Sequence, residues 1–429
     1  MKKVLIITYY WPPAGGAGVQ RVLKFAKYLP QFGWQPIVLT VKNPDSPVED
    51  KSLIADIPKE CKVYKTKSLE PFEIYKKFIG HNKNEKIPAD VLLKKENAGI
   101  KEKLAQWIRI NLFIPDAKIG WKYFAVKEGV KIVKNENIDL IFSTSPPQTD
   151  GLIARSIAKK TNKKWIADFR DPWMEIVYYQ NIKRSAFTKF FDAKLEKKVL
   201  SNADGIVSIS NGLIGILKAK AKNKFYLIPN GYDESDFGET QHVKNDKFTI
   251  AYTGSMSDDR IPYPLIHALK RVVYEDGVKN IKLRIVGRAT PRLSELIVKE
   301  KLSDYFNFTS FLPHKESTKV LQSSDALLLV IDDVPDNEGF LTGKIFEYLG
   351  CRKPVFAIGP VRGDAHKILR KTNSGEMVEY NDNKGAYYLL KKMYEDWKTD
   401  YSRFTFIVEQ FSRKNLTKKL VQVFEETVK

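Results

Sequence analysis

A glycine-rich turn stands between an apolar run and a helical pattern near the start of the sequence. The turn "PPAGGAGVQR" follows "VLIITYY" and contains Gly15, Gly16 and Gly18. Glycine lets a backbone approach a ligand closely, and the free amides at a helix N-terminus bind anions. The pattern therefore predicts a phosphate-binding loop, although a tight turn without a ligand could have the same sequence.

A second loop of this kind opens the second half of the chain. In "YTGSMSDDR", Gly254 and Ser255 follow an apolar run, and Arg260 comes six positions after the glycine. The dinucleotide-binding pattern G-x-G-x-x-G is missing from both loops, which disfavours a nicotinamide-dependent dehydrogenase.

A third loop combines backbone amides with a charged side chain. In "FLTGKIFEYLG", Thr342, Gly343 and Lys344 begin a helical pattern, and Glu347 follows one turn later. Lys344 and the amides could hold a diphosphate, because charge-assisted hydrogen bonds are the stronger kind. A carboxylate such as Glu347 can accept both hydroxyls of a ribose. The three loops together suggest that a nucleotide binds beyond the carboxyl ends of parallel strands.

Short apolar runs alternate with helical patterns, which predicts an α/β protein with parallel sheets. We expect two Rossmann-like, doubly wound domains facing a cleft. The first spans 1–235 with a basic and aromatic insertion at about 66–135, and the second spans 245–400. Ser412 is a plausible N-cap for a last helix over about 412–429, which could pack back on the first domain.

Composition limits the functional classes. The 429 residues include 72 Lys and Arg against 51 Asp and Glu, a formal net charge of +21. This charge favours polyanionic partners such as nucleic acid, anionic lipid or phosphorylated ligands, unless it reflects a lysine-rich proteome. Cys61 and Cys351 form neither a disulfide framework nor a metal-site pattern, which favours a reducing cytoplasm. We read the N-terminus as a buried strand, with no signal peptide, and find no run that could span a bilayer.

The insertion contains the most distinctive basic stretch. "KEKLAQWIRINLFIPDAKIGWKYF" mixes aromatic residues with five cations: Lys101, Lys103, Arg109, Lys118 and Lys122. It is either a helical insertion with solvated lysines or a surface that faces a membrane or an acceptor, since basic and aromatic residues together suit anionic interfaces.

With these motifs the chain resembles the GT-B-fold glycosyltransferases of family 4, a retaining group that uses nucleotide sugars. The similarity extends over nearly the whole length. It is most specific at "IPNGYD" and at "FEYLG" followed by "KPV", and it includes "YYWPPAGGAGVQR", "ADGIVSIS" and "YTGSMSDDR".

The resemblance implies roles for the residues of the three loops. Gly16 and its neighbours would approach the donor diphosphate through backbone amides. Arg260 would replace the family's phosphate-binding lysine, and Ser255 stands where the family has an arginine. Thr342, Gly343 and Lys344 would bind the diphosphate, and Glu347 would bind the ribose.

Two further donor contacts are implied. Leu312 in "SFLPH" would recognise the base. Glu338 would contact the sugar, although it precedes Glu347 by nine positions, one more than in the family.

In "WIADFRDPW", Asp168, Arg170 and Asp171 occupy a region where many relatives have a histidine. They would act in catalysis by orienting the acceptor or the sugar, or they form a structural ion-pair cluster. No cofactor or metal is expected, although Asp332, Asp333, Asp336 and Glu338 are hard oxygen ligands of the kind that Mg²⁺ prefers.

The resemblance implies transfer of a sugar to a lipid-linked or polysaccharide acceptor of the cell envelope. We expect a cytoplasmic enzyme, peripheral on the inner face of the membrane, with no specific nucleic-acid partner. A GT-B nucleotide-sugar epimerase and a non-catalytic nucleic-acid-binding protein remain alternatives. The epimerase is disfavoured because the main motifs lack histidine, and the nucleic-acid-binding protein because no known recognition motif appears.

Overall fold

The computed structural model describes most of the chain in two compact units. Its described residues are 1–46, 49–69, 107, 110–175, 184–238, 244–335, 337–399 and 405–429. Most of the predicted insertion lies outside the described residues, including Lys101, Lys103 and Arg109. The candidate metal ligand Asp336, in the second half of the chain, also lies outside them. One unit comprises Met1–Pro229 with Leu416–Lys429, and the other comprises Asn230–Asn415.

The first unit is built on a seven-stranded sheet. Its strands are β1 Lys2–Ile7, β2 Trp34–Val41, β3 Lys62–Thr66, β4 Leu140–Ser145, β5 Lys164–Phe169, β6 Gly205–Ser208 and β7 Phe225–Leu227. They lie in the order β3-β2-β1-β4-β5-β6-β7, and every pair is parallel. The central strands are buried on both faces, which explains their continuous apolar sequences.

Helices connect these strands. In the described residues they are α1 Ala17–Tyr28, α2 Lys122–Asn135, α3 Thr149–Thr161, α4 Ala186–Asn202 and α5 Asn211–Lys218. Strand order reverses between β1 and β4, so the loops after these two strands diverge. Ligands of open α/β sheets bind at such a reversal, and the glycine turn before α1 lies there.

The second unit repeats this architecture with six strands. They are β8 Phe248–Thr253, β9 Ile281–Val286, β10 Phe306–Thr309, β11 Ala326–Val330, β12 Val355–Ile358 and β13 Gly375–Val378, in the order β10-β9-β8-β11-β12-β13. All pairs are parallel. The described helices are α6 Tyr263–Tyr274, α7 Pro291–Lys299, α8 His314–Gln322, α9 Gly343–Cys351, α10 Asp364–Lys371 and α11 Asn383–Thr399. The prediction of two parallel-sheet α/β domains is thus confirmed.

The last helix, α12 Arg413–Val428, contributes to the core of the first unit. Leu416, Leu420 and Phe424 are fully buried there, and the Phe424 ring lies 5.2 Å from that of Trp34. The Ser412 hydroxyl accepts a hydrogen bond from the Asn415 amide at 3.2 Å, as an N-cap does. The chain therefore returns to the first unit after completing the second.

A carboxylate at the amino-terminal edge of the first sheet makes a pH-dependent contribution to stability. Glu136 accepts hydrogen bonds from Tyr64 Oη at 2.6 Å and Lys62 Nζ at 2.9 Å, and Lys3 Nζ lies at 3.3 Å. These donors, Tyr64 most of all, lower the pKa of Glu136 from 4.5 to about 2. Because the folded-state pKa is depressed, the contribution is complete above about pH 4.5 and is lost as the pH falls toward 2.

Glu136→Gln is expected to remove about 1 kcal/mol of stability at neutral pH, an effect kept small by the exposure of Lys62. Urea unfolding between pH 3 and pH 7 measures this contribution, with Glu128→Gln on α2 as the control. A variant that lost stability with acid as steeply as the parent protein would contradict the assignment.

Candidate functional site

In the second unit, the turn after β8 brings the backbone against a lysine. Gly254 has a φ of 116°, and a Cβ built on it would lie 2.6 Å from Lys344 Nζ. Its amide donates to the Val286 carbonyl at 2.7 Å, which ties the turn to the end of β9. A side chain at 254 would be strained and would also displace the lysine, so glycine is required at this position.

Lys344 lies in the first turn of α9, and its ammonium group is held by Tyr252. Lys344 Nζ lies 4.5 Å from the centre of the Tyr252 ring and donates to its hydroxyl at 3.1 Å. Tyr252 in turn donates to the Ser255 carbonyl at 2.8 Å. The positive charge is thus oriented beside the Gly254 turn, an arrangement suited to an anionic ligand.

Arg260 makes an ion pair that its sequence position did not predict. Its Nε and Nη2 donate to the two carboxylate oxygens of Asp332, the second at 2.9 Å, and Nη1 donates to the Ser255 carbonyl at 3.2 Å. The hydrogen bond to Asp332 raises the pKa of Arg260 further. A phosphate that bound Arg260 directly would therefore have to compete with Asp332. In the observed contacts, Arg260 links the Ser255 turn to the loop after β11.

The start of α9 presents further polar groups. Thr342 is the N-cap residue of α9 by its extended backbone, yet its Oγ has no hydrogen-bond partner among the described residues. Gly343, the first residue of the helix, is exposed, and the first amides of a helix have no partner within the helix. The exposed start of the helix is suited to bind an anion beside Lys344, whereas the Thr342 Oγ is itself buried.

Glu347 stands one turn farther along α9. Burial raises the pKa of this carboxyl, and the nearby charges of His314 and Lys344 oppose that rise. His314 begins α8, directly after the predicted base-recognition loop. The start of α8 therefore lies close enough to α9 to influence the Glu347 carboxyl.

The predicted base-recognition loop contains one partly buried and one exposed apolar residue. Leu312 packs against the core cluster that includes α9, and its carbonyl accepts a hydrogen bond from Ser317. The neighbouring Phe311 is 82% exposed. An exposed aromatic ring is the kind of surface on which a flat base can stack.

Glu338 lies beside a recess of the second unit. It lines a cavity of about 460 Å³ with Asp333, Arg362, Glu379 and Tyr380. Of the candidate metal ligands, Asp332 is bound to Arg260, and Asp333 and Glu338 line this recess. Of the described candidate metal ligands, one is therefore occupied by an ion pair, and two line the cavity.

In the first unit, the glycine turn packs on an arginine. Gly16 has a φ of 105° and precedes α1, and a Cβ on Gly18 would lie 2.0 Å from Arg170 Nη1. Arg170 donates from Nε to the Ser145 carbonyl at 3.1 Å and from Nη2 to that of Pro146. The absence of a side chain at 18 makes room for the guanidinium, which joins the loops after β1, β4 and β5.

Asp168 is buried in an ion pair, which favours the structural alternative over its predicted catalytic role. The residue is 1% exposed, and its two oxygens accept from Arg21 Nε at 3.0 Å and Nη2 at 2.8 Å. Thr144 donates to it as well, at 2.8 Å. Arg21 also donates to the carbonyls of Ile228 and Pro229, so the pair anchors the end of the first unit.

Asp171 and Arg170 are less buried than Asp168. Burial raises the pKa of Asp171, and the charge of Arg170 opposes this shift. The side chains of both residues remain candidates for contact with a ligand. The motif "ADFRD" thus contains one fully buried, ion-paired carboxylate, Asp168, and two partly exposed residues, Arg170 and Asp171.

Sequence reasoning missed two residues that organise these sites, Arg21 and Tyr252. Arg21 lies within the helical pattern after the glycine turn, but its complete burial has no local signal. Tyr252 continues the alternation of buried side chains at Phe248 and Ile250 in β8. From sequence it therefore looks like an ordinary core residue of the strand. Its place at the carboxyl end of a strand was the one available indication.

The first unit and most of the second match known family profiles. Residues 14–236 match the family described as Glycosyltransferase Family 4, and residues 234–404 match the one described as Glycosyl transferases group 1. None of the curated proteins matches the sequence.

Solved structures show the same fold at low identity. A glycosyltransferase from Rickettsia africae ESF-5 is 17% identical with a TM-score of 0.61, covering 100% of this chain and 99% of that one. HepE of Anabaena, in complex with UDP, is 12% identical with a TM-score of 0.60, covering 99% and 100%. The apo form of WaaB, a lipopolysaccharide outer core galactosyltransferase, is 12% identical with a TM-score of 0.56, covering 99% and 100%. These similarities establish the GT-B fold.

Proposed function

Because the chain belongs to glycosyltransferase family 4, we propose that it transfers a sugar with retention from a nucleoside-diphosphate sugar to an acceptor hydroxyl. The enzyme is a glycosyltransferase, and the donor, the stereochemistry and the acceptor are the proposed parts. The observation that carries the proposal is the Lys344 ammonium group, held by Tyr252 against the Gly254 turn at the start of α9.

The donor assignment rests on the chemistry of this position. A diphosphate needs cations and amide donors, and Lys344, the Gly343 amide and the Thr342 hydroxyl supply them. Structures of HepE, one of the similar proteins, contain UDP or UDP-glucose. Glu347 is the proposed ribose ligand and the Leu312 backbone the proposed base contact.

The proposed reaction breaks the bond between the anomeric carbon and the diphosphate oxygen and forms one from that carbon to the acceptor oxygen. The acceptor proton moves to the leaving phosphate, which makes a separate strong base unnecessary. Negative charge grows on the diphosphate as the bond breaks. Lys344, fixed before the reaction, stabilises that charge without having to reorganise.

The proposed acceptor is a lipid-linked or polysaccharide glycan of the cell envelope. WaaB, one of the similar proteins, is a lipopolysaccharide outer core galactosyltransferase. The net charge of +21 favours an acceptor that carries phosphate. Arg170 and Asp171 of the first unit are proposed to orient that acceptor.

A thermal-shift panel of nucleoside diphosphates and their sugars tests the donor, since a ligand that binds the native state raises its stability. We expect one nucleoside diphosphate and its sugar to raise Tm. Turnover of that sugar nucleotide is then followed with and without a polyprenyl-diphosphate glycan. Transfer that requires the acceptor supports the transferase, whereas acceptor-independent inversion supports the epimerase. If no nucleotide raised Tm, the proposed donor site would be wrong.

Gly254→Ala tests the approach of Lys344 to the turn. The alanine Cβ would displace the ammonium group, so we expect kcat/KM to fall about 10²-fold, the cost of a misplaced catalytic group. Gly277→Ala is the matched control, because Gly277 also has a positive φ, of 71°, but open space around its Cβ position. Both variants should lose about 1–2 kcal/mol of stability. Equal activity of the two would contradict the role given to the Gly254 turn.

A further inference from the structure

Helix α4 of the first unit buries three polar residues and exposes its aromatic residues. Thr188, Asp192 and Glu196 are at most 2% exposed. Phe187 and Phe190, by contrast, are 64% and 63% exposed. This is the reverse of the usual surface helix, in which the apolar stripe faces the core.

The buried polar residues of α4 are held by specific partners. Asp192 accepts from Trp173 Nε1 at 2.6 Å and from Arg184, and Glu196 accepts from Lys220 Nζ at 2.7 Å. Rotating the helix to bury its aromatic face would leave these carboxylates unpaired, which is costly in a protein interior. The outward direction of the phenylalanines is therefore fixed by the fold.

The exposed rings form a cluster. The Phe191 ring lies 4.4 Å from that of Phe187 and 5.5 Å from that of Phe190, and Phe191 is 39% exposed. At the start of α4, the buried Asn111 accepts from the Ser185 amide at 2.8 Å. Two more exposed apolar side chains, Trp107 and Leu112, lie close to Asn111 in sequence. Several large apolar groups are thus exposed in one region.

Three lysines continue the same helical face. Lys194, Lys197 and Lys198 are exposed, and they follow Phe187 by seven, ten and eleven positions, a spacing that returns to one side of a helix. We define the α4 face as Phe187, Phe190, Phe191, Lys194, Lys197 and Lys198. It combines an aromatic cluster at one end with a cationic cluster at the other.

We propose that the α4 face binds the surface of an anionic lipid bilayer, with the phenylalanine rings in the interface and the lysines against the headgroups. Phenylalanines on the apolar face of a helix insert at the boundary between headgroups and acyl chains, and lysines near the surface are attracted by anionic lipid. A second copy of the chain is disfavoured as occupant, because it would bring two lysine clusters together in a molecule with a net charge of +21. No helix among the described residues has the length and apolarity to cross a bilayer.

This proposal rests on the proposed lipid-linked acceptor and names the surface of the enzyme that would contact the membrane. Its test uses the full chain and vesicles of phosphatidylcholine, with or without phosphatidylglycerol, in a sedimentation assay. We expect binding to the anionic vesicles alone, weakened by salt. Changing the three phenylalanines to serine, or Lys194, Lys197 and Lys198 to glutamine, should each weaken binding about tenfold or more.

Matched controls separate the α4 face from overall charge and from misfolding. Changing Lys299, Lys371 and Lys384 of the second unit to glutamine removes the same charge and should leave binding nearly intact. Phe190→Trp gives a folded reporter, whose fluorescence should shift to the blue on anionic vesicles. Phe311→Trp, in the second unit, should not shift.

Three results would overturn the proposal: no vesicle binding, equal loss in the control lysine variant, or an unshifted Phe190→Trp spectrum. If the serine variant turned a dimer into a monomer while vesicle binding stayed unchanged, the face would be a contact between copies. Vesicle binding requires no sugar donor. Failure of the nucleotide panel would therefore leave this result standing, and failure here would leave the donor site intact.

Discussion

Lys344→Ala is expected to lower kcat/KM for sugar transfer by about 10²- to 10³-fold, the usual loss when one preorganised group that stabilises transition-state charge is removed. Lys344 lies beside the Gly254 turn, over the ring of Tyr252 and next to the first amides of α9. Its charge is held in place before the substrate binds. Nucleoside diphosphate affinity should fall as well, because the ground state already carries negative charge.

The measurement is steady-state kinetics with the best donor from the thermal-shift panel, together with the Tm increase that the diphosphate produces. Lys299→Ala, an exposed lysine at the end of α7, is the control and should behave like the parent protein. Unchanged kinetics and an unchanged Tm increase in Lys344→Ala would remove Lys344 from the donor site.

Arg21→Met is expected to cost about 3–5 kcal/mol of stability, because it leaves the carboxylate of Asp168 buried without its partner. Both side chains are fully buried, and the pair is closed by two hydrogen bonds. The carbonyls of Ile228 and Pro229 would lose their donor at the same time. The consequence should be a large fall in Tm and easier unfolding of the first unit in urea.

Asp168→Asn should be destabilising for the same reason, and the double variant Arg21→Met, Asp168→Asn should lose less than the sum of the two single changes. Lys164→Ala is the control, since it removes the ion pair between the exposed Lys164 and the partly exposed Asp204. Loss of this surface ion pair should change the free energy of unfolding by about 0.5 kcal/mol or less.

Catalysis by Asp168 makes a different prediction from anchoring. A catalytic carboxylate would lose turnover on replacement by asparagine while the folded protein kept its stability. If Asp168→Asn kept its Tm and lost kcat, the structural assignment would be wrong. The combined measurement of Tm and kcat therefore separates the two roles.

Membership of family 4 and the presence of two parallel-sheet domains were both predicted correctly from local sequence patterns. Short apolar runs, glycine turns and helical spacing are set by neighbouring residues, and these are properties that a sequence displays directly. The motif around Lys344 could be recognised because glycine, lysine and helix start are adjacent in the chain. The roles predicted there for Thr342, Gly343 and Glu347 remain predictions.

The pairing of charged side chains was decided by the tertiary structure. Arg21 and Asp168 are 147 positions apart, and Arg260 and Asp332 are 72 apart. Whether an arginine binds a phosphate or a carboxylate depends on which strand ends the fold brings together, and no local pattern contains that information. The same holds for α4, where the sequence analysis gave no indication that the phenylalanines are exposed. They are exposed because Asp192 and Glu196 find buried partners on other segments, and those partners determine which side of the helix faces inward.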